Sequence, residues 1–254
     1  MTVALIGYSG FVGGALLRAR SFDACYRSTD IDDIRGRTFD TIICCGAPAE
    51  KWRANRYPDE DRERLARLTE ALAEVETTRF VLISTIDVYA RPHDVDERTP
   101  IDGVIGEPYG RHRYQLEEFC RKRFPTTVVR LPGLYGHGLK KNAIFDLLHD
   151  RSVESIAGNA HFQFYDVDRL HTDMSLILGA GVETVNITAQ PVSMNDVAQR
   201  VFGRTLPTPR IEAAPNYDVR SIHAELVGGR NGYWFDAETV MRGLEHFVAA
   251  ERAR

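Results

Sequence analysis

Apolar residues in the first half of the chain concentrate in short stretches, at 3–6, 24–27, 39–48, 79–83 and 126–131. Runs of this length without polar alternation predict strands covered on both faces, as in a parallel sheet. Between them the apolar period lengthens to that of a helix. It does so over 15–18, over 61–76 with Leu65, Leu68, Leu72 and Val75, and over 109–123 with Leu116 and Phe119 turned inward. Asp59 is the expected cap of the second helix, whose charged face is assigned to solvent. Residues 32–38 read as a polar turn or degraded helix, and 51–58 as irregular chain with Trp52 packing the loop. The second half predicts strands at 161–167 and 183–188 and helices at 142–149, 170–178, 193–202 and 235–249. Ser193 and Asp236 are the caps of the last two, and 204–232 is loop-rich.

Strand and helix alternating in this way predict an α/β fold, a Rossmann-type doubly wound parallel sheet with a small C-terminal substrate lobe. The expected division is a dinucleotide-binding core at 1–135, and at 136–254 the remaining sheet elements and a small substrate-binding lobe, intertwined with the core.

The first strand runs directly into Gly7-Tyr8-Ser9-Gly10-Phe11-Val12-Gly13 and then a helix. A strand that turns sharply into a helix leaves backbone N–H groups free at the helix start, where they suit a pyrophosphate. Gly7 lets the chain turn, Gly10 admits the phosphates and Gly13 lets the helix sit close on the strand. Ser9, Phe11 and Val12 complete the candidate phosphate loop. Its spacing is G-x-x-G-x-x-G, not the commoner G-x-G-x-x-G. About 20 positions beyond the first glycine, where such a fold meets the adenosine ribose, stand Arg27 and Ser28. A guanidinium and a hydroxyl there favour NADP over NAD, and Asp23 and Asp30 nearby keep NAD open. Cys45, Gly46 and Ala47 end the third strand with small residues where an adenine or ribose could lie.

Composition adds exclusions. With 43% hydrophobic and 27% charged residues and a net charge of −4, the chain reads as an ordinary globule with no call for nucleic acid as partner. No run approaches the ~20 apolar residues of a membrane span, and no basic leader precedes the first strand, so a cytoplasmic location is expected. Four cysteines without C-x-x-C spacing predict buried free thiols and no metal site.

The chemistry is expected from Thr85, Tyr109 and Arg113. Tyr109 and Arg113 lie one helical turn apart. A phenol has a reference pKa of about 10, so proton exchange near neutrality needs a close cation, which Arg113 can supply. Thr85, just beyond the fourth strand, would orient the same substrate oxygen.

These residues bring out a resemblance. The chain is similar to the extended short-chain dehydrogenase/reductase family of the NAD-dependent epimerase/dehydratase type, at 7–13, 44–48, 84–89, 109–113 and 130–136, and more weakly at 164–170 and 185–189. The resemblance implies Thr85 as the catalytic hydroxyl and Tyr109 as the catalytic tyrosine, with Arg113 standing where the family has lysine. It also implies cofactor contacts at Ser84, Tyr109, Arg113, Leu131 and Pro132, and substrate contacts at Asp87, His137 and Asn142. The implied substrate is a sugar, nucleotide-linked, handled by a reductase or epimerase in preference to a dehydratase, because Ile86 and not an acid follows Thr85. The short C-terminal half leaves open a smaller substrate. Homodimer formation through the helices at 61–76 and 109–123 is a further implication. The Arg113 substitution keeps a second reading open, a non-catalytic NAD(P)-binding protein with a degenerate site. His112 is expected at the surface, and Asp166 and Asp168 in capping or substrate contact.

Overall fold

The computed structural model describes residues 1–207 and 214–254. Part of the stretch expected to be loop-rich, 204–232, therefore lies outside the described residues. Along the chain come β1 (Val3–Ile6), α1 (Phe11–Ala19), β2 (Ala24–Tyr26), β3 (Thr38–Cys44), α2 (Lys51–Arg56), α3 (Pro58–Ala73), β4 (Glu76–Thr85), β5 (His93–Val95) and α4 (Pro108–Arg123). There follow β6 (Thr126–Leu131), β7 (Gly133–Tyr135), α5 (Ala143–His149), β8 (His161–Phe162), β9 (Phe164–Asp166), α6 (Leu170–Gly179), β10 (Thr184–Asn186), β11 (Val192–Ser193), α7 (Met194–Phe202), β12 (Asp218–Val219) and α8 (Ala237–Arg252). Two compact units result: residues 1–91, 99–130 and 174–185, and residues 92–98, 131–173 and 186–254.

The first unit is built on the six-stranded sheet, in the order β2-β1-β3-β4-β6-β10. β1 pairs in parallel with β2 and β3, and β3 with β4. This is the doubly wound α/β sheet that the strand runs predict. Chain order reverses at β1, which is flanked by β2 on one side and β3 on the other. In open sheets of this kind ligands bind beyond the carboxyl ends of the strands at that switch point. The β2 side ends in a strand of only three residues, because the polar stretch leading to β3 forms a 3-10 turn, Ile31–Ile34, in place of a helix and further strand. Ile31 and Ile34 bury into a core that includes Ile6, Ile42, Leu68, Leu72, Phe80 and Phe124. Phe80 and Phe124 stack at 4.7 Å.

Two expectations need correction here. Residues 51–58 are not irregular: 51–56 form α2, and Trp52 is 63% exposed instead of packing the loop. Pro58 at the first turn of α3 marks a helix start as readily as a break. Nor does Asp59 cap α3. Tyr57 occupies the N-cap without a side-chain bond, and Asp59 lies within the first turn.

The second unit has its own core, with Tyr135, Ile144, Phe164, Met194, Val197, Leu244 and Phe247. Three two-stranded ladders serve it, β7 with β9, β8 with β11 and β5 with β12. Ser193 and Asp236 cap α7 and α8 as the sequence predicts, accepting from the N–H groups of Asp196 and Thr239. Gln163 ties three segments together: its amide donates to the Ala189 and Val219 carbonyls and accepts from the Val219 N–H.

Candidate active site

The glycine turn stands at the switch point. Gly7 has φ +84°, and a Cβ there would lie 2.4 Å from the Cys45 carbonyl oxygen. β1 and β3 therefore leave the sheet in contact, with Cys45 N–H donating to the Ile6 carbonyl at 2.8 Å. A Cβ on Gly13 would lie 2.2 Å from the Gly7 carbonyl oxygen, so α1 seats on the turn only because position 13 is bare. Gly10 is the N-cap of α1 and as a glycine has no side chain to cap it, and the first turn carries no acidic residue. The N–H groups of that turn keep their positive pole for an anion. Cys45, Gly46 and Ala47 are half-buried alongside, and burial pushes the Cys45 thiol up.

At the end of β2, Arg27 and Ser28 are exposed. Asp30 accepts from the Arg27 N–H at 2.6 Å and lies 3.5 Å from its Nε. Asp23 is engaged at the opposite end of the strand, where its carboxylate accepts from the Val3 N–H at 2.7 Å.

The carboxyl end of β4 delivers Thr85. Its Oγ1 accepts from the Asp87 N–H at 3.1 Å, capping a 3-10 turn over 86–88, and the hydroxyl is close enough to the Tyr109 phenol to favour its ionised form. Tyr109 stands in the first turn of α4, buried. That turn sits hard against the 86–88 segment: a Cβ on Gly110 would lie 1.9 Å from the Asp87 carbonyl oxygen. Two residues of α2 that the sequence reading did not single out complete the surroundings. Asn55 Oδ1 accepts from the Tyr109 N–H at 2.9 Å, and Lys51 Nζ donates to Asp87 Oδ1 at 2.7 Å. Their spacing of four could have flagged them had α2 been recognised.

Arg113 is one turn beyond Tyr109, as expected, but its environment is not. It is 2% exposed, and its guanidinium lies over the Tyr109 ring at 4.1 Å from the centroid. Both Nη1 and Nη2 donate to the Asp61 carboxylate, and Nη2 also donates to the Pro48 carbonyl. Asp61, 4% exposed, comes from the α3 face assigned to solvent. His112 is likewise buried, not at the surface, with Nδ1 2.8 Å from Asp61 Oδ2 and Nε2 buried without a partner among the described residues. Burial alone would raise the Asp61 carboxyl, but hydrogen bonds from Arg113 and His112 carry it below its ordinary value. The phenol moves the other way. Burial raises Tyr109 above its ordinary value, Asp87 adds to this, and Arg113, Lys51 and the Thr85 hydroxyl oppose it. Arg113 pulls the phenol toward the phenolate, by less than burial pushes it the other way.

Ser84 turns inward, its hydroxyl donating to Glu117 Oε1 at 2.6 Å. Glu117 is fully buried and takes a two-point bond from Arg130, at 3.0 and 2.7 Å, while Arg130 also donates to the Tyr89 hydroxyl at 2.8 Å. In the second unit, Leu131 is buried, Pro132 half-buried, and the His137 N–H donates to Asp168 Oδ2 at 3.1 Å. Asn142 caps α5: Oδ1 accepts from the Phe145 N–H and Nδ2 donates to the Leu134 carbonyl. Asp166 accepts from the Asp168 N–H, a capping role.

A doubly wound sheet, a glycine turn at its switch point and a Thr–Tyr pair at the end of its fourth strand define one class of fold and site. The chain belongs to the NAD dependent epimerase/dehydratase family, whose model matches residues 22–155, just over half its length. The match includes Thr85, Tyr109 and Arg113 and begins after the glycine turn. No curated protein matches the chain. Among solved structures, MoeE5 in complex with UDP-glucuronic acid and NAD is 17% identical with a TM-score of 0.76, covering 100% of this chain and 99% of that one. UDP-glucose 4-epimerase from Thermotoga maritima with UDP-glucose is 16% identical at 0.74, covering 100% and 99%. RMD from Pseudomonas aeruginosa complexed with NADPH is 17% identical at 0.75, covering 98% of each chain. These likenesses establish the fold.

Proposed function

We propose that the chain is an NAD(P)-dependent oxidoreductase or epimerase acting at a hydroxyl- or keto-bearing carbon of a nucleotide-linked sugar. The observation that carries this reading is the meeting of Thr85 and Tyr109 at the carboxyl end of β4, where the first turn of α4 packs directly on the turn that Thr85 caps. The similar structures support it, since they hold UDP-sugars and NAD or NADPH. The residues present fit a dinucleotide: Gly7 and Gly13 leave no room for side chains, and the uncapped, acid-free start of α1 suits a pyrophosphate. Ser9, Gly10, Phe11, Val12 and Gly13 would hold the phosphates, Cys45, Gly46 and Ala47 the adenosine side, and Arg27 and Ser28 a 2′-phosphate. NADP is favoured on the last pair. A bound nicotinamide would supply hydride chemistry.

The chain's own part is proton transfer. Thr85 orients the substrate oxygen, and the Tyr109 hydroxyl gives a proton to it or takes one from it. Arg113 stands in the lysine's place but, clamped on Asp61 and Pro48, holds the ring of Tyr109 from its face. Asp87, 18% exposed, is the carboxylate on hand for a substrate hydroxyl. Of the expected substrate contacts His137 stays a candidate, whereas Asn142 is better read as the α5 cap. The buried Arg113–Asp61 pair also favours the second reading, a dinucleotide-binding protein without turnover.

Mixing the chain with NADPH or NADH and a UDP- or dTDP-linked keto-sugar, and separately with NADP+ or NAD+ and the corresponding hydroxyl sugar, tests the two readings. Consumption or gain of nicotinamide absorbance, or conversion to an epimer, supports the enzyme. Binding of coenzyme with neither outcome across such sugars supports the second reading.

A further inference from the structure

Lys51 and Asn55 are four residues apart on α2 and so project from one face. That face holds Tyr109 in two ways. Asn55 accepts from its backbone N–H, a group that a helix start leaves without an internal partner. Lys51 bonds the Asp87 carboxylate at 2.7 Å, whose other oxygen lies 3.4 Å from Thr85 Oγ1, in the turn on which the start of α4 packs. Lysine, carboxylate and hydroxyl thus form one connected row in the turn that packs against Tyr109.

The charged groups around the phenol come from four elements: Arg113 on its own helix, Asp87 in the turn after β4, Lys51 on α2, and Asp61 on α3 behind Arg113. They sort into two ion pairs. The Asp61–Arg113 pair is buried under the ring and its guanidinium is held at four acceptor atoms, the two Asp61 oxygens and the Pro48 and Tyr109 carbonyls, so it cannot follow a charge that develops on the hydroxyl. The Lys51–Asp87 pair is half-exposed, with Lys51 at 42% and Asp87 at 18%. A lysine ammonium on a four-carbon stem can redistribute between two nearby anions.

We propose that Lys51 is the positioning cation of the Tyr109 phenol, its ammonium balancing Asp87 and following the charge that the phenol acquires on losing its proton. This deepens the reading of Tyr109 as the acid/base group and rests on it. In this arrangement the work that a lysine on α4 would do is divided: Arg113 fixes the ring, and Lys51 serves the hydroxyl. Removing Lys51 leaves the Asp87 carboxylate beside the phenol without its counter-charge, which disfavours the phenolate.

The test is the ionisation of Tyr109, followed on the full chain by NMR of ring-labelled tyrosine, with Tyr109→Phe identifying its resonance. Lys51→Met should move the ionisation midpoint up, Lys51→Arg should return it toward the original, and Asp87→Asn should move it down. The double substitution should fall between the two single ones. Arg53→Met removes the same charge from another face of α2, where Arg53 bonds Glu60, and should leave the midpoint nearly in place. The proposal is overturned if Lys51→Met shifts the midpoint no further than Arg53→Met does. Where turnover is measurable, the limb of the kcat/KM profile that reports the phenol should move in step, and a fixed limb would contradict the proposal. The NMR midpoint needs no turnover. A Lys51-dependent midpoint in a chain that turns over nothing upholds the coupling and rejects the enzyme, while turnover with an indifferent midpoint does the reverse.

Discussion

Arg113 is more than a conservative replacement for lysine. Its planar fork meets the two oxygens of Asp61 and still reaches the Pro48 carbonyl, a set of acceptors that one ammonium would match less well. The partner of such a buried charge matters most when it is removed. Asp61→Asn leaves the guanidinium buried without its counter-charge and should destabilise the fold by roughly 3–5 kcal/mol, read from urea unfolding at neutral pH. The pH dependence has a definite sign. Because the folded-state value of Asp61 lies below the ordinary carboxylate value, the stability it contributes is fully present above about pH 4 and is lost as the pH falls through the lower folded value. Unfolding midpoints followed from neutrality down to acid should therefore fall more steeply for the unmodified chain than for Asp61→Asn. Parallel curves would show that Asp61 is not held in the charged form. Sequence periodicity placed Asp61 on a solvent face because helical spacing reports apolar partners only. A buried acid paired with an arginine fifty residues away gives no local signal.

At the scale of elements, the site depends on how closely α4 approaches the turn after β4. Gly110 permits this, since a Cβ there would overlap the Asp87 carbonyl oxygen at 1.9 Å. Gly110→Ala must push the start of α4 away, carrying Tyr109 from Thr85. Turnover should fall by a factor on the order of 10² or more, as acid–base catalysis depends on hydrogen-bond reach. Stopped assays beside a thermal melt would separate this from unfolding; an Ala variant with full activity would refute the close-approach argument. Gly13→Ala tests the other helix. Its Cβ meets the backbone of Gly7 and Tyr8, which cannot rotate aside, so overpacking of about 1–3 kcal/mol is expected by chemical denaturation. The strands and most helices were legible in the sequence because short apolar stretches and four-residue stripes reflect burial directly. α2 was not. It is six residues long, ends at a proline-initiated helix and buries only Ala54, too little to leave a period. With α2 hidden, Lys51 and Asn55 could not be placed beside Tyr109.

For the molecule as a whole, two units with separate cores share one chain that passes between them repeatedly. The glycine turn, Thr85 and Tyr109 were recognisable because each answers to a local rule: a strand end, a helix start, a fixed spacing. The direction of the Arg113 guanidinium and the engagement of Ser84 by Glu117 were not, because both depend on partners supplied by distant segments. Coenzyme preference belongs to this scale as well. Arg27 lies at the end of β2 with Asp30 close by, so Arg27→Ala should weaken NADPH binding about tenfold or more while leaving NADH near its original affinity, a charge-assisted phosphate contact being lost. Fluorescence titration with both coenzymes measures this, and equal losses would remove Arg27 from the 2′-phosphate site.

No helix among the described residues is long and apolar enough to cross a membrane. The central claim is that Tyr109 transfers the proton in a coenzyme-dependent reaction on a nucleotide-linked sugar. Its most direct test compares the unmodified chain with Tyr109→Phe under saturating coenzyme and sugar, with coenzyme affinity measured in parallel. The account predicts turnover reduced by a factor on the order of 10²–10⁴ with coenzyme binding nearly unchanged. Equal turnover by the two proteins would contradict it.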